Sequence, residues 1–431
     1  MREAKSPDMT LKKLRATIVN PSGLDAGLRD DVCDQCHLQP SVALFGVRAF
    51  GRPDYSYRPG QPLNQYLVQM DIVERGKPKS ERFEINHHPY RLRQSRCFQE
   101  SSGAMSCLTC HDPHRKVPEP ERAAHYRTAC LGCHSKQSLS SGHAKTVPDV
   151  AASDCTRCHM QKRRTQDIVE LLATDHLIRR RPGGHELVAR LDEADPDIDD
   201  VVLIEPEAAP ASDLPDAYRA SGALRATGGA HQTAADTLQE ILRSHSVHTE
   251  PYADLTRSQL MLRDYEGAAK SAAELLERDP DNVVAKTWSG IAGIGLGEIE
   301  RAETILSETI ESHPAHAEAH YNLALVLISG DRHAEARERL LEAMTLRSGF
   351  ARAWYYLGRV HHRLEQSKDA IEAYKRALAI DPTHTRSYLE LGEVLAAQGK
   401  QAEALRFYEH GARVALQPKP IKAALAKLSS D

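Results

Sequence analysis

The C-terminal half of this 431-residue chain repeats itself with a period of 34 residues. A period of this length is typical of repeats in which two helices form a hairpin and each hairpin packs against its neighbours. Alanine stands at one position of every copy, and a residue no larger than threonine stands twelve positions before it. Small residues suit the points where paired helices cross, because larger side chains would push the helices apart. The alanines are Ala234, Ala268, Ala302, Ala336, Ala370 and Ala404, and the small residues are Gly222, Thr256, Gly290, Ala324, Gly358 and Gly392.

The repeats resemble the tetratricopeptide repeat (TPR). The copy at 351–384 carries the resemblance through Trp354, Leu357 and Gly358, followed by Ala370, Tyr374, Ala377 and Pro382. The resemblance implies an α-solenoid of helix pairs, and the polar segment 419–431 is predicted to form a capping helix over its last apolar face. The six predicted repeats span 215–248, 249–282, 283–316, 317–350, 351–384 and 385–418.

TPR arrays present a concave face that binds peptides or proteins, so the resemblance implies a protein partner. By the TPR pattern, that face is predicted to be lined by Tyr321, Arg352, Tyr355, Arg359 and Arg386. The alternative is that the array serves as a spacer or a dimerisation surface.

The cysteines form a second pattern, confined to the front of the chain. All nine lie between Cys33 and Cys158, and eight of them form four Cys-x-x-Cys pairs, each followed at once by histidine. A helical turn puts positions i, i+3 and i+4 on one side, so two thiols can reach the two vinyl groups of a porphyrin while the histidine ligates its iron. The four motifs are Cys33–His37, Cys107–His111, Cys130–His134 and Cys155–His159.

Zinc and disulfides are the alternatives for paired cysteines. Neither requires a histidine after every second cysteine, and covalent haem c does. The sequence therefore predicts four haem c groups, with thioethers to Cys33, Cys36, Cys107, Cys110, Cys130, Cys133, Cys155 and Cys158, and with His37, His111, His134 and His159 as proximal iron ligands.

The sixth position of each iron decides its chemistry, since a second histidine gives a low-spin centre suited to electron transfer and an open position binds small ligands. His114 lies three residues after a motif histidine and suits a neighbouring iron. His176 ends an apolar-periodic stretch from Ile168, His143 precedes the fourth motif by twelve residues, and only one of the adjacent His87 and His88 can face inward. The distal ligands predicted on these grounds are His88, His114, His143 and His176, whereas His125 and His185 are predicted to be solvated.

Charge and composition divide the chain. Residues 1–190 carry a net charge of +9 and residues 191–431 carry −13. Haem propionates account for the basic half, where no nucleic-acid-binding motif occurs, so a nucleic-acid partner is not expected. No apolar run approaches the roughly 18 residues of a membrane span. The predicted organisation is a mainly α protein: a multihaem domain at 1–185 with a small β insertion formed by 41–50 and 65–74, an acidic and Pro-rich linker at 186–214, and the repeats.

The chain as a whole resembles bacterial multihaem cytochromes c with C-terminal TPR arrays, related in their haem part to the tetrahaem cytochromes of nitrogen oxidation. The resemblance is carried by Arg29–His37, by Gln94–Cys97 through Cys107–His114, by Cys155–Met160 and by Thr174–Ile178. It implies bis-histidine haems and an extracytoplasmic, periplasmic location. Relatives carry histidine where this chain has Glu170. Residues 1–30 contain no apolar signal region, so the start is predicted to be truncated or misassigned.

The function expected from these patterns is electron transfer through four haems, with redox proteins as partners and the TPR array for docking. No side-chain acid–base or nucleophilic site stands out, so an electron carrier is favoured over a catalyst. The alternatives are a multihaem oxidoreductase acting on a small nitrogen or sulfur species at one open haem, and a TPR scaffold whose haems sense redox state or gas.

Overall fold

The structure, a computed structural model, describes residues 19–38, 44, 46–85, 87–135, 153–192, 196–204, 215–244 and 248–430. The chain divides into two compact units, Met1–Asp254 and Leu255–Asp431. Helices predominate, which confirms the prediction of a mainly α protein. Within the described ranges, no helix has both the length and the apolar character needed to cross a membrane.

Short helices, separated by turns rich in Gly and Pro, form the front of the first unit. Proline stands in the first turn of two of them, where its missing N–H leaves no helical hydrogen bond unmade. The helices are α1 (Ala26–His37), α2 (His88–Arg93), α3 (Arg96–Gln99), α4 (Cys107–Cys110), α5 (Glu119–Leu131) and α6 (Cys155–His159).

Three antiparallel strand pairs accompany these helices in the part of the chain that the structure describes. The pairing of Val47 with Val68 lies within the predicted β insertion. The pairs are β1 (Val47–Arg48) with β2 (Leu67–Val68), β3 (Met70–Glu74) with β6 (Ile198–Leu203), and β4 (Lys162–Arg164) with β5 (Leu172–Thr174).

Strand β6 lies inside the segment that the sequence predicted to be a linker. Ile72 pairs with Val201, and both side chains are buried. The acidic residues of the segment conceal this pattern, because Asp199 points to solvent and pairs with Arg75 while the apolar residues join β3. The boundary predicted near residue 214 is therefore not where the first unit ends.

A buried ion cluster fixes β3 to the segment that follows it. Arg82 is almost completely buried and is surrounded by the carboxylates of Asp71, Glu74 and Glu84. Its guanidinium also donates to the Ile72 carbonyl, at 2.9 Å. A buried charge is tolerated only when paired in this way.

The first helix of the repeats, α7 (Pro215–Ala226), packs within the first unit. The ring of Tyr218 stacks on Phe50, with centroids 4.0 Å apart, and its hydroxyl accepts the Phe50 N–H at 3.0 Å. A Cβ added at Gly222 would lie 2.4 Å from the Met70 sulfur and 3.3 Å from Val201. Gly222 is thus small because the β3–β6 pair approaches it, not because of the helix crossing that the sequence analysis proposed.

The remaining helices follow the predicted 34-residue register, and a Cβ at Gly290, Gly358 or Gly392 would collide with the paired helix as predicted. The six alanines that recur at the same position of each repeat are all buried. The helices are α8 (Gln232–Ser244), α9 (Thr249–Leu262), α10 (Tyr265–Arg278), α11 (Val283–Leu296), α12 (Ile299–Ser312), α13 (Ala317–Ser329), α14 (His333–Leu346), α15 (Ala351–Arg363), α16 (Ser367–Ile380), α17 (Thr385–Ala397), α18 (Gln401–Val414) and the final α19 (Pro418–Ser430).

Candidate functional site

Each Cys-x-x-Cys-His motif lies on a helical turn, although the turns arise differently. The motif at Cys33–His37 ends α1, and the motif at Cys155–His159 is the whole of α6. Asp154 begins that helix by accepting the Thr156 N–H at 3.0 Å. Helix α4 spans Cys107–Cys110, and the motif at Cys130–His134 closes the last turn of α5, where the His134 N–H donates to the Cys130 carbonyl at 3.0 Å.

The tertiary fold brings the four motifs next to one another. The thiols of Cys33 and Cys107 share a hydrogen bond, which lowers the pKa of Cys33 and raises that of Cys107. Burial, Cys155 and Cys110 together raise the pKa of the Cys130 thiol to about 12. These contacts place the first motif beside the second, the second beside the third, and the third beside the fourth.

Four histidines converge near the first two motifs. The ring centroids of His88 and His176 are 4.4 Å apart, and those of His111 and His176 are 6.1 Å apart. Burial, followed by His176, His37 and His111, lowers the pKa of His88 to about 3. Burial also lowers the pKa of His176. At neutral pH these rings therefore keep a free lone pair, which is the form that binds metals.

Hydrogen bonds determine which ring nitrogen is available in two of the predicted ligands. Nδ1 of His159 lies 2.6 Å from the Arg179 carbonyl oxygen, and Nδ1 of His176 lies 3.1 Å from that of Thr174. A carbonyl only accepts, so Nδ1 is the donor in each bond, and Nε2 is the nitrogen that would ligate a metal. The buried Nδ1 of His88 has no hydrogen-bond partner among the described residues.

A buried ion pair joins the two chain segments that carry His88 and His176. Arg91, one helical turn after His88, donates from Nε and Nη2 to the two carboxylate oxygens of Asp175, at 2.9 and 2.7 Å. Arg91 is wholly buried and Asp175 is 3% exposed at the side chain. Sequence analysis missed this pair, although the i+3 spacing of Arg91 from His88 and the adjacency of Asp175 to His176 were available signals.

The other predicted distal ligands are placed differently. His114 is exposed, in a turn where its backbone N–H donates to Asp112 at 2.9 Å. His143 lies outside the described residues. His125, which the sequence analysis expected to be solvated, is exposed, and its Nε2 lies 3.0 Å from the Cys110 carbonyl oxygen. Glu170 is exposed in the turn between β4 and β5.

A second candidate site lies on the repeats of the second unit. Arg352, Tyr355 and Arg386, three of the five predicted groove residues, line a cavity of about 250 Å³ together with Tyr356 and His384. Of the other two, Tyr321 is buried beneath Arg352, whose guanidinium carbon lies 5.8 Å from the ring centroid, and Arg359 lies 5.6 Å above the ring of Tyr356.

Across the described ranges, no group of three or more His, Cys, Asp or Glu side chains has an arrangement that would hold a single metal ion. The nine cysteines all lie within these ranges, and none forms a disulfide.

Comparison with known protein families identifies the repeats. Models of the tetratricopeptide repeat match residues 290–349, 351–384 and 373–406. The C-terminal region is therefore a TPR array, as its 34-residue register and helix pairs indicate. TPR proteins generally bind protein partners, so this region has the architecture of a protein-interaction module.

Curated relatives share only part of this chain. A segment of 137 residues is 23% identical to the mouse protein O-mannosyl-transferase TMTC1, covering 31% of this chain and 14% of that protein. A segment of 87 residues is 31% identical to WspC of Pseudomonas aeruginosa, a probable biofilm formation methyltransferase, covering 20% of this chain and 21% of that protein. The chain thus spans about a fifth or less of the length of these relatives.

Solved structures also resemble part of this chain. The crystal structure of MamA is 25% identical, with a TM-score of 0.34, over 40% of this chain and 97% of that one. Yeast Tom70 is 16% identical, with a TM-score of 0.43, over 50% of this chain and 47% of that one.

Proposed function

We propose that the chain is an extracytoplasmic multihaem c-type cytochrome that passes electrons through four covalently bound haems and docks a protein partner with its TPR array. One observation carries the proposal: four Cys-x-x-Cys-His turns, spread over the chain from Cys33 to His159, lie next to one another, with further histidines near the first two. Electron transfer needs redox centres close together, and neighbouring cysteine motifs would attach the haems close to one another.

The residues fit haem c on the chemistry of the donor set. Each motif offers two thiols and an imidazole on one turn, and the hydrogen bond at Nδ1 of His159 orients its ring so that Nε2 would be the nitrogen to ligate iron. The partnerless Nδ1 of His88 is a buried polar atom that ligation would satisfy, since an unsatisfied buried nitrogen costs about 1–3 kcal/mol. When bound, the haems would supply reversible one-electron chemistry. The protein would attach them, orient their axial imidazoles and limit their contact with water.

A multihaem oxidoreductase is the second candidate. The observation that favours it is the uneven placement of distal candidates: His88 and His176 both lie near His37 and His111, and His114 is exposed. An iron at the third or fourth motif could then keep an open position for a small substrate.

The test is a haem count together with low-temperature EPR of the oxidised protein, expressed behind a secretion signal in a host with haem-attachment machinery. Four low-spin haems per chain are expected of an electron carrier. One high-spin iron would favour the oxidoreductase. A protein without covalent haem would overturn both proposals.

A further inference from the structure

Two arginines without carboxylate partners face the same cavity of the TPR array. Arg352 lies in the first turn of α15 and Arg386 in the first turn of α17, and both are exposed. Among the described residues, no carboxylate lies within ion-pair distance of either guanidinium, although other arginines of the array, such as Arg332 and Arg347, are paired. The cavity therefore holds uncompensated positive charge within a region that is acidic overall.

Glu390, an acidic side chain near this cavity, is already engaged. Glu390 accepts the hydroxyls of Tyr355 and Tyr374, each at 3.4 Å, and lies 3.9 Å from Nε of Arg359. The ion pair of Glu390 is therefore made with Arg359 and not with Arg352 or Arg386.

The floor of the cavity is aromatic. The centroid of Tyr356 lies 5.8 Å from that of Tyr321 and 5.0 Å from that of Tyr355, and Tyr355 meets the ring of His384 at 4.9 Å. These rings form one row, and edge-to-face rows of this kind offer flat apolar faces to an extended peptide.

His384 adds a neutral ring. It immediately precedes α17, and its Nδ1 lies 2.7 Å from the Ser387 hydroxyl oxygen and 3.3 Å from the Ser387 backbone nitrogen. Burial lowers its pKa against the raising effect of Asp381, and Arg352 and Arg386 lower it further. At neutral pH the charge of the cavity thus comes from the two arginines.

From this geometry we infer that the cavity binds an acidic peptide segment of a partner protein, with carboxylates on Arg352 and Arg386 and its chain along the tyrosine row. Arginine binds carboxylate through two parallel hydrogen bonds, and unpaired arginines beside aromatic rings are a frequent source of binding energy. The inference rests on the docking role proposed for the array and adds the chemistry of the partner.

The experiment uses the full-length chain and two fluorescent peptides of equal length, one rich in Asp and Glu and the other with Asn and Gln in their places. Fluorescence anisotropy is expected to show binding of the acidic peptide, at least about tenfold tighter than that of the amide peptide and weakened by salt. Arg352→Glu with Arg386→Glu is expected to weaken binding of the acidic peptide by at least about tenfold.

Arg376→Glu with Arg301→Glu is the matched control. Both are exposed arginines outside the cavity, paired with Glu372 and Glu298, so reversing the two changes the net charge as much as the double variant does and should leave binding unchanged. Circular dichroism of each variant checks that the array is folded. Equal affinity for the two peptides, no measurable binding of the acidic peptide, or wild-type binding by the double variant would each overturn the inference.

A separate assay distinguishes failure of the haem proposal from failure of the peptide-binding inference. The same samples are assayed for covalent haem by the pyridine haemochrome spectrum. A chain without haem that still binds the acidic peptide would overturn the cytochrome proposal alone, and a four-haem chain indifferent to peptide charge would overturn this inference alone.

Discussion

At the scale of single residues, the arrangement of His88 and His176 depends on a contact that neither histidine makes. Arg91 and Asp175 are separated by 84 residues in sequence and meet through two buried hydrogen bonds. The Ser95 hydroxyl reinforces the junction by accepting the Ile178 N–H at 2.8 Å. These contacts hold the segment 175–178 against α2 and so fix the separation of the two imidazoles.

Arg91→Leu should therefore destabilise the first unit and disturb the histidine pair. It leaves the Asp175 carboxylate buried with its main partner removed, a change that costs about 3–5 kcal/mol. Denaturant unfolding measures the stability, and under the haem proposal the EPR g values of the haem-loaded protein would report its axial imidazoles.

The control for this prediction is Arg96→Leu on the neighbouring helix. The pair Arg96–Glu100 is exposed to solvent, so its loss should leave the stability almost unchanged. An Arg91→Leu variant with the stability and EPR spectrum of the Arg96→Leu variant would show that the Arg91–Asp175 ion pair does not position the histidines.

At the scale of helices, each Cys-x-x-Cys-His motif is built on one turn, but the motif beside it comes from elsewhere in the chain. Helix α1 brings Cys33 to Cys107 of α4, and the end of α5 brings Cys130 to Cys155 of α6. These contacts can be tested without any haem.

In haem-free protein carrying Cys36→Ser and Cys110→Ser, mild oxidation should join Cys33 to Cys107, because their thiols are within hydrogen-bonding distance. Peptide mapping by mass spectrometry detects the link. The control carries Cys33→Ser and Cys110→Ser. It leaves the exposed Cys36 as the cysteine of the first motif, and we expect little disulfide between Cys36 and Cys107. Equal linkage in both variants would contradict the side-by-side placement of the first two motifs.

Helix crossings in the array give a second prediction at this scale. A Cβ at Gly358 would lie 2.5 Å from the ring of Tyr374, which is fully buried and held through its hydroxyl by Glu390. Gly358→Ala should therefore destabilise the array by about 1–2 kcal/mol, since overpacking outweighs the gain of about 1 kcal/mol in helix propensity.

Gly349→Ala is the matched control, because a Cβ there meets no atom within 4 Å. It should leave stability unchanged or raise it slightly. Thermal unfolding followed by circular dichroism compares the two variants, and equal midpoints would argue against a close crossing of α15 and α16.

At the scale of the whole molecule, the boundary between compact units does not coincide with the boundary between sequence patterns. The repeat pattern begins at 215, yet the first unit extends to Asp254 and includes α7 and α8. Tyr218 of α7 is completely buried against Phe50, so the first repeat completes the core of the unit that carries the cysteine motifs.

Tyr218→Ala should lower the free energy of unfolding of the first unit by about 3–5 kcal/mol, the usual cost of removing a buried aromatic ring. Limited proteolysis of the full chain should then show faster cleavage within the first unit. Tyr388→Ala removes a similarly buried ring from the second unit and should leave that cleavage unchanged. Identical cleavage patterns would mean that α7 is not part of the first core.

The sequence by itself determined the features that depend on neighbours along the chain. The 34-residue register gave every helix pair of the array, because helix formation and the crossing of paired helices rely on residues within one repeat. The helical turn of each cysteine motif is local for the same reason. The tertiary structure alone decided which motifs are adjacent, that Asp175 meets Arg91, that β6 pairs with β3, and that His384 shares a cavity with Arg352. These contacts join residues far apart in sequence, and their free energy depends on burial and packing that no local pattern encodes.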